Sequence, residues 1–471
     1  MLTLAFAAAL LAPAPAPASA PDIPHKTFTL DNGLVVIIHE DRRVPLVAVN
    51  LDYRVGSADE PKGRTGFAHL FEHLMFMGTA EVGRGEFDAI MEAEGAWNNA
   101  WTSNDRTNYF EVGPSHALPL LLWLEADRLL GLGRAIDQEK LDLQRDVVRN
   151  ERRQTSENTP YGAMWLELPG MIYPEGHPYH HPVIGSHEDL QAATVADVQQ
   201  FFARWYVPRN ASLVVAGDVD AAEVERQVRA LFGPIPAGAP PREGERKPEA
   251  PAPPAVADRE IEDRVDQARA VFLWRTPAEY HDGDAALDLL AAALADGKSS
   301  RLYQALVYGE EVAQDVFAAQ MSGRIGSEFI VWATGRDGID AAALQARLEA
   351  ALAKAIAAVD DDDVARARAK TRKAFVEQLQ SVHGRASALN GYQSALGRPD
   401  YVAEDLARYT ALDAAALRAA AAQYLTPAHR ATLRVRPRPA ETPTENATEA
   451  PTEAPAENPT ETAAPGAEEA K

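Results

Sequence analysis

A proline-rich stretch, Pro234 to Ala257 (PIPAGAPPREGERKPEAPAPPAVA), interrupts this 471-residue chain near its middle. It holds few bulky apolar residues, so it reads as a stiff, extended linker and not as part of a core. From Arg436 onward, repeats of Pro, Thr, Glu and Ala offer too little apolar surface to fold. Two units remain, 22–233 and 258–435, each of single-domain size.

Both units interleave strands and helices. In the first, Gly33–His39 and Leu46–Tyr53 are strand-like by β-branched content and alternation. Helical patterns follow at 65–77, 115–131, 137–157 and 194–205. In the second, strands near 268–274 and 326–334 sit among helices near 283–296, 341–358, 361–381 and 412–423. This order predicts an α+β architecture in which each unit packs helices on one face of a mostly antiparallel sheet. The units also resemble each other. Thr194 opens a helix that ends at Trp205-Tyr206, stops at Pro208 and leads into Ala211–Val215; Thr410, Tyr424, Pro427 and Ala431–Val435 repeat the pattern. Two homologous domains are the simplest reading.

The formal net charge is -23, of which Ala440–Lys471 supplies -7. An acidic body argues against nucleic acid, which needs clustered Lys and Arg. The chain has no cysteine, which excludes a disulfide scaffold, a thiolate metal site and a cysteine nucleophile. Residues 1–20 (MLTLAFAAALLAPAPAPASA) read as a secretory signal peptide, implying a periplasmic or secreted protein. No Lys or Arg precedes the apolar run, and Pro21 follows Ala20, so cleavage after Ala18 stays open. The run is too short to span a membrane, and no later stretch qualifies.

The chemistry is concentrated in His69-Leu-Phe-Glu72-His73, between Thr65, a potential N-cap, and Gly78, a potential stop. On one helix, residues four apart lie one above the other, so both imidazoles can reach a single ion. Glu72 borders the same face and can take a proton from water. H-x-x-E-H is the reverse of the commoner zinc-peptidase order. A catalytic zinc needs a third protein ligand, and pattern alone does not choose one.

Three linked segments resemble the pitrilysin family, which includes insulin-degrading enzyme and the mitochondrial processing peptidases. They are the H-x-x-E-H motif, Asn98-Asn99-Ala100-Trp101-Thr102, and Val147-Val148-Arg149-Asn150-Glu151, which lies 78 residues past His73. The resemblance covers residues 25–435 and implies a half-size, two-domain zinc endopeptidase acting on peptides or unfolded segments inside a clamshell chamber. It implies one zinc ion held by His69, His73 and Glu151, with Glu72 as the catalytic base. Asn99 and Ala100 would line an edge strand that takes up an extended substrate. The rival is a non-catalytic scaffold or peptide-binding subunit, of a kind that lacks an intact motif.

Two departures from the family pattern stand out. Where members often carry a second Glu two turns before the ligand, this chain has Gln144, which implies outer support of the metal through a neutral amide. Active members also use an Arg and a Tyr from a non-catalytic domain to hold substrate carbonyls; here Val307 and Gln314 fall at those positions. The expected partner is therefore a different family subunit that supplies the Arg/Tyr pair, with a homodimer as the alternative. His177, His180 and His181 lie among prolines with no acidic residue at ligand spacing and read as a structural loop.

Overall fold

The computed structural model describes residues 22–239 and 246–438. The leader at 1–20, part of the proline-rich segment and the tail from 439 lie outside the described residues. The described residues up to Pro437 form one compact unit built on two sheets.

In the first half, strands β1 (Lys26–Thr29), β2 (Val35–Glu40), β3 (Leu46–Tyr53), β4 (Trp97–Thr102), β5 (Thr107–Pro114) and β6 (Ala211–Gly217) are joined through helices α1 (Phe67–Leu74), α2 (Glu86–Ala93), α3 (Leu118–Ala135), α4 (Gln138–Arg152), α5 (Gly162–Ile172), α6 (His187–Ala192) and α7 (Val195–Trp205), with α8 (Ala221–Phe232) after β6. The second half has β7 (Asp258–Asp263), β8 (Arg269–Thr276), β9 (Ala313–Met321), β10 (Ser327–Gly335) and β11 (Arg430–Pro437). Its helices are α9 (Asp284–Ala295), α10 (Ala341–Ala358), α11 (Asp361–Gln378), α12 (Val382–Leu396), α13 (Val402–Thr410) and α14 (Ala414–Tyr424). Strand β11 runs two residues past the boundary expected at 435.

The sheet orders are β1-β2-β6-β3-β5-β4 and β7-β11-β8-β10-β9. Without β1 they share one topology. The last strand of each half pairs parallel with that half's first (β6 with β2, β11 with β7), and every other pair is antiparallel. The repeated helix–proline–strand pattern in the sequence corresponds to α7–β6 and α14–β11, the same place in both sheets.

Each half packs its own helices on one sheet face around a continuous apolar core, containing Leu51, Phe71, Leu121 and Leu213 in the first half and Phe272, Leu290, Phe329 and Leu348 in the second. The opposite faces, which strand alternation makes apolar as well, are covered by exchange. Helix α12 of the second half lays Val382, Ala386 and Leu389 on Ile37, Ala48 and Val214. Helix α5 of the first half lays Met164, Leu168 and Met171 on Val271, Leu273 and Leu433. Polar pins lock the exchange: Asn390 bonds Asn50 and Ser212 (2.6 and 2.5 Å), and Arg385 pairs with Asp41 (2.6 Å). The described part of the proline-rich segment has no regular structure and is tied to both halves, through Val256 N–H to Met171 O (2.9 Å) and Glu249 N–H to Ile325 O (2.7 Å). Among the described residues, no helix is long and apolar enough to cross a membrane.

Candidate metal centre

Helix α1 is short and two-faced. Phe67, Leu70, Phe71 and Leu74 enter the core, which turns His69, Glu72 and His73 to the other side. Its start differs from the sequence expectation. Thr65 is not the N-cap; Gly66 occupies that position at φ +89°, a conformation in which glycine avoids Cβ strain. The exposed helix N–H groups are met by the buried side chain of Glu60, which accepts from Gly66 N (3.0 Å) and Ala68 N (2.8 Å). Thr65 instead donates to Asp189 (2.6 Å). A carboxylate at a helix N-terminus does the work of a cap, and sequence spacing cannot reveal one supplied from a preceding loop.

Helix α4 packs against α1. It is capped by Asp137, accepting from Lys140 N at 2.9 Å. One residue beyond its end at Arg152, the chain widens into a π turn over Arg153–Glu157. Glu151, on its last turn, faces both rings: Oε1 lies 3.7 Å from His69 Nε2 and Oε2 lies 3.2 Å from His73 Nε2. The two imidazoles stand 4.8 Å apart at 82°. One ligating atom from each residue falls within 4.8 Å of the others, and no other such trio of His, Asp or Glu occurs among the described residues. Around a tetrahedral zinc with ligands at about 2.0–2.1 Å, donor atoms stand roughly 3.3 Å apart. Two imidazole nitrogens and one carboxylate at these separations fit that ion.

The electrostatics suit metal binding. Burial pushes His69 down to about 4, against the pull of the Glu151 carboxylate, so the ring is neutral and free to ligate. The contact with His73 holds Glu151 below the usual carboxylate range despite partial burial. Glu72 is raised, chiefly by burial and secondarily by Glu151, while the Thr102 hydroxyl and His73 pull the other way. Thr102 donates to Glu72 Oε2 at 2.5 Å. The sequence reading included Thr102 in the strand motif without giving it a role.

Strand β4 is the edge of its sheet, in register with β5 from Trp97↔Val112 to Thr102↔Thr107. Asn99 and Ala100 lie on this edge, and the Ala100 N–H is bonded to the side chain of Asn99 (2.8 Å). Gln144 corrects an expectation: its amide points to Met77 Sδ (2.8 Å) and not to a ligand. It sits two turns before Glu151, where Met77, just past α1, is the group within reach. The buried Nδ1 of His69 has no hydrogen-bond partner among the described residues. His177 stacks on Tyr173 and faces Glu249 at 3.2 Å, and His180 bonds Tyr173 O at 2.8 Å, as befits a structural loop.

Family models match both halves: "Insulinase (Peptidase family M16)" over residues 35–164 and "Peptidase M16 inactive domain" over 192–371. The chain is 32% identical to the zinc protease PqqE of Helicobacter pylori, over 70% of this chain and 74% of that protein. The chain belongs to the insulinase family, peptidase family M16. Another relative, an uncharacterized zinc protease of Mycobacterium leprae, is 32% identical over 62% of this chain and 66% of its own length. A crystal structure of a protease from Helicobacter pylori superposes with a TM-score of 0.82 at 28% identity, covering 88% of this chain and all of that one.

Proposed function

We propose that this M16 chain is a zinc endopeptidase of peptides and unfolded segments, with His69, His73 and Glu151 as metal ligands and Glu72 as the general base. The observation that carries the reading is the convergence of two imidazoles and a carboxylate from separate helices beside a spare, half-buried acid. When bound, zinc would supply a Lewis acid for the scissile carbonyl and bring the pKa of water towards about 7. The protein does the rest. Strand β4 is the outer edge of its sheet, and an extended peptide of any sequence can pair there, at Asn99 and Ala100, once it takes the Ala100 N–H from the Asn99 side chain. Glu72 takes the proton of the attacking water and delivers it to the leaving amine. Because Glu72 is not a ligand, Glu72→Gln should keep full zinc content and lower turnover by about 10²–10⁴-fold. Near-parental cleavage of a mixed peptide library by that variant would refute the assignment.

The working enzyme on this reading is a heterodimer in which this subunit brings the zinc. Val307, buried in the turn before β9, and Gln314, on β9, stand where the resemblance places the family's Arg and Tyr. The nearby guanidinium of Arg336 bonds Val307 O (3.1 Å) and Ala313 O (3.3 Å). A pull-down from the native host, followed by assays with and without the recovered subunit, tests this; equal activity alone and in complex would favour the homodimer. The leader-like residues 1–20 support export, and sequencing the mature N-terminus would locate a cut after Ala18 or Ala20.

A further inference from the structure

We propose that Thr102 is a positioning residue for the general base, tying the orientation of Glu72 to the strand on which substrate docks. The inference rests on the reading of Glu72 above and goes beyond it.

Thr102 ends β4, two residues from Ala100 and on the same side of the strand. Its hydroxyl lies 2.5 Å from Glu72 Oε2, the short separation of a hydroxyl donating to a carboxylate. A hydroxyl has one proton, and here it has one good acceptor. The alternative, Thr107 Oγ1, is 3.5 Å away. Thr107 itself donates to Val55 O at 2.9 Å, so it has no proton to offer back. Thr102 is also β-branched and held in register opposite Thr107, which restricts its χ1. The donor is therefore fixed by the sheet and not by a flexible side chain. Among the described residues no other hydrogen bond holds the Glu72 carboxylate, so Oε2 is pinned and Oε1 is left for the reacting water. The strand that would seat the peptide also aims the base.

This predicts a specific kinetic signature. In zinc-loaded protein, purified with whatever subunit accompanies it, Thr102→Val removes the donor and keeps the shape. Turnover (kcat) should fall by about 10–100-fold with KM within about twofold, since misplacing a catalytic group by about 1 Å costs on that order. Thr102→Ser should recover most of the loss, because it restores the hydroxyl. Zinc content and thermal midpoint of both variants should match the parent, which separates positioning from a folding role. An unchanged kcat for Thr102→Val, or a Thr102→Ser variant as impaired as Thr102→Val, overturns the proposal. So does a Thr102→Val loss that appears in KM or in zinc content. Glu72→Gln, assayed alongside, separates the two readings. If it is inactive while Thr102→Val is unimpaired, only the role of Thr102 fails; if it is fully active, the base assignment fails and this inference with it.

Discussion

The two halves share a sheet topology and a helix pairing, yet among the described residues only the first half gathers a trio of potential metal ligands. In the first half α1, which follows β3, packs against α4, the second helix after β5. In the second half α9, which follows β8, packs against α11, the second helix after β10. The α1/α4 contact brings His69, His73 and Glu151 together. Leu287, Leu290 and Leu294 of α9 and Val364 and Ala367 of α11 belong to the buried core of the second half, and no comparable trio of His, Asp or Glu occurs there among the described residues. The scaffold thus does not make the site. On the proposed reading three side chains do, at a seam between helices that recurs in the second half without them.

The test with the largest expected effect converts one seam into the other. Replacing His69 and His73 together by Leu should reduce bound zinc to background and abolish peptidase activity. It should also cancel any stabilisation by metal, which for a ligand at about 1,000 times its Kd is about 4 kcal/mol. A chelator should lower the thermal midpoint of the parent and leave that of the variant unchanged. The metal-free variant should be at least as stable as the metal-free parent, since apolar groups replace partly buried imidazoles. A chelator-sensitive midpoint in the variant would mean that the metal sits elsewhere, and the contrast between the halves would fall.

The second test asks what polar groups do in the half without the trio. Asp288 on α9 accepts from Tyr409 Oη (2.8 Å), and burial, helped by nearby Asp284, pushes it up to about 7. The sign follows directly. The folded protein holds a proton on Asp288 at pH values where the unfolded chain, near the ordinary value of about 4, has lost it. Its contribution is fully present below about pH 4 and is lost as pH rises through about 7. One proton gives a slope of at most about 1.4 kcal/mol per pH unit. Asp288→Asn should therefore flatten the decline in urea midpoint between pH 5 and 7 while leaving zinc content unchanged. Equal slopes in parent and variant would show that Asp288 is charged in the folded protein. A loss of zinc would show that the halves are not functionally separate.

Much of this was legible in the sequence, and the illegible parts share a cause. The spacing of His69 and His73 is a local property of one helix, so it could be read directly. The strand–helix order of each half and the repeated α7–β6 and α14–β11 patterns come from local propensity and periodicity, and they gave the α+β class. Glu151 could not be chosen by pattern, because its position depends on how α4 docks on α1; only resemblance to the pitrilysin family singled it out. The exchange of α5 and α12 between sheets was missed for the same reason. Neither helix is among the patterns read from the sequence, because apolar residues are spread around each with little one-sided periodicity, and what they cover is a tertiary fact. The Glu60 cap of α1 and the Thr102 bond to Glu72 cross six and thirty residues of chain, and neither leaves a periodic mark.

The smallest expected effect concerns Gln144, where the sequence led furthest astray. A residue two turns before a ligand is in the right place to support it, and losing such an outer partner typically costs about 10–100-fold in metal affinity. The structure gives Gln144 a different neighbour, the thioether of Met77, which is a weak acceptor. Gln144→Ala should then change zinc affinity by less than about threefold and stability by no more than about 0.5 kcal/mol, the range of a half-exposed polar change. Competitive titration against a chromophoric chelator measures the first and urea unfolding the second. A tenfold loss of zinc affinity would mean that Gln144 turns towards the ligands once the metal is in place. The α1/α4 seam would then be more than three side chains on a shared scaffold, and its difference from the α9/α11 seam would extend to the residues around it.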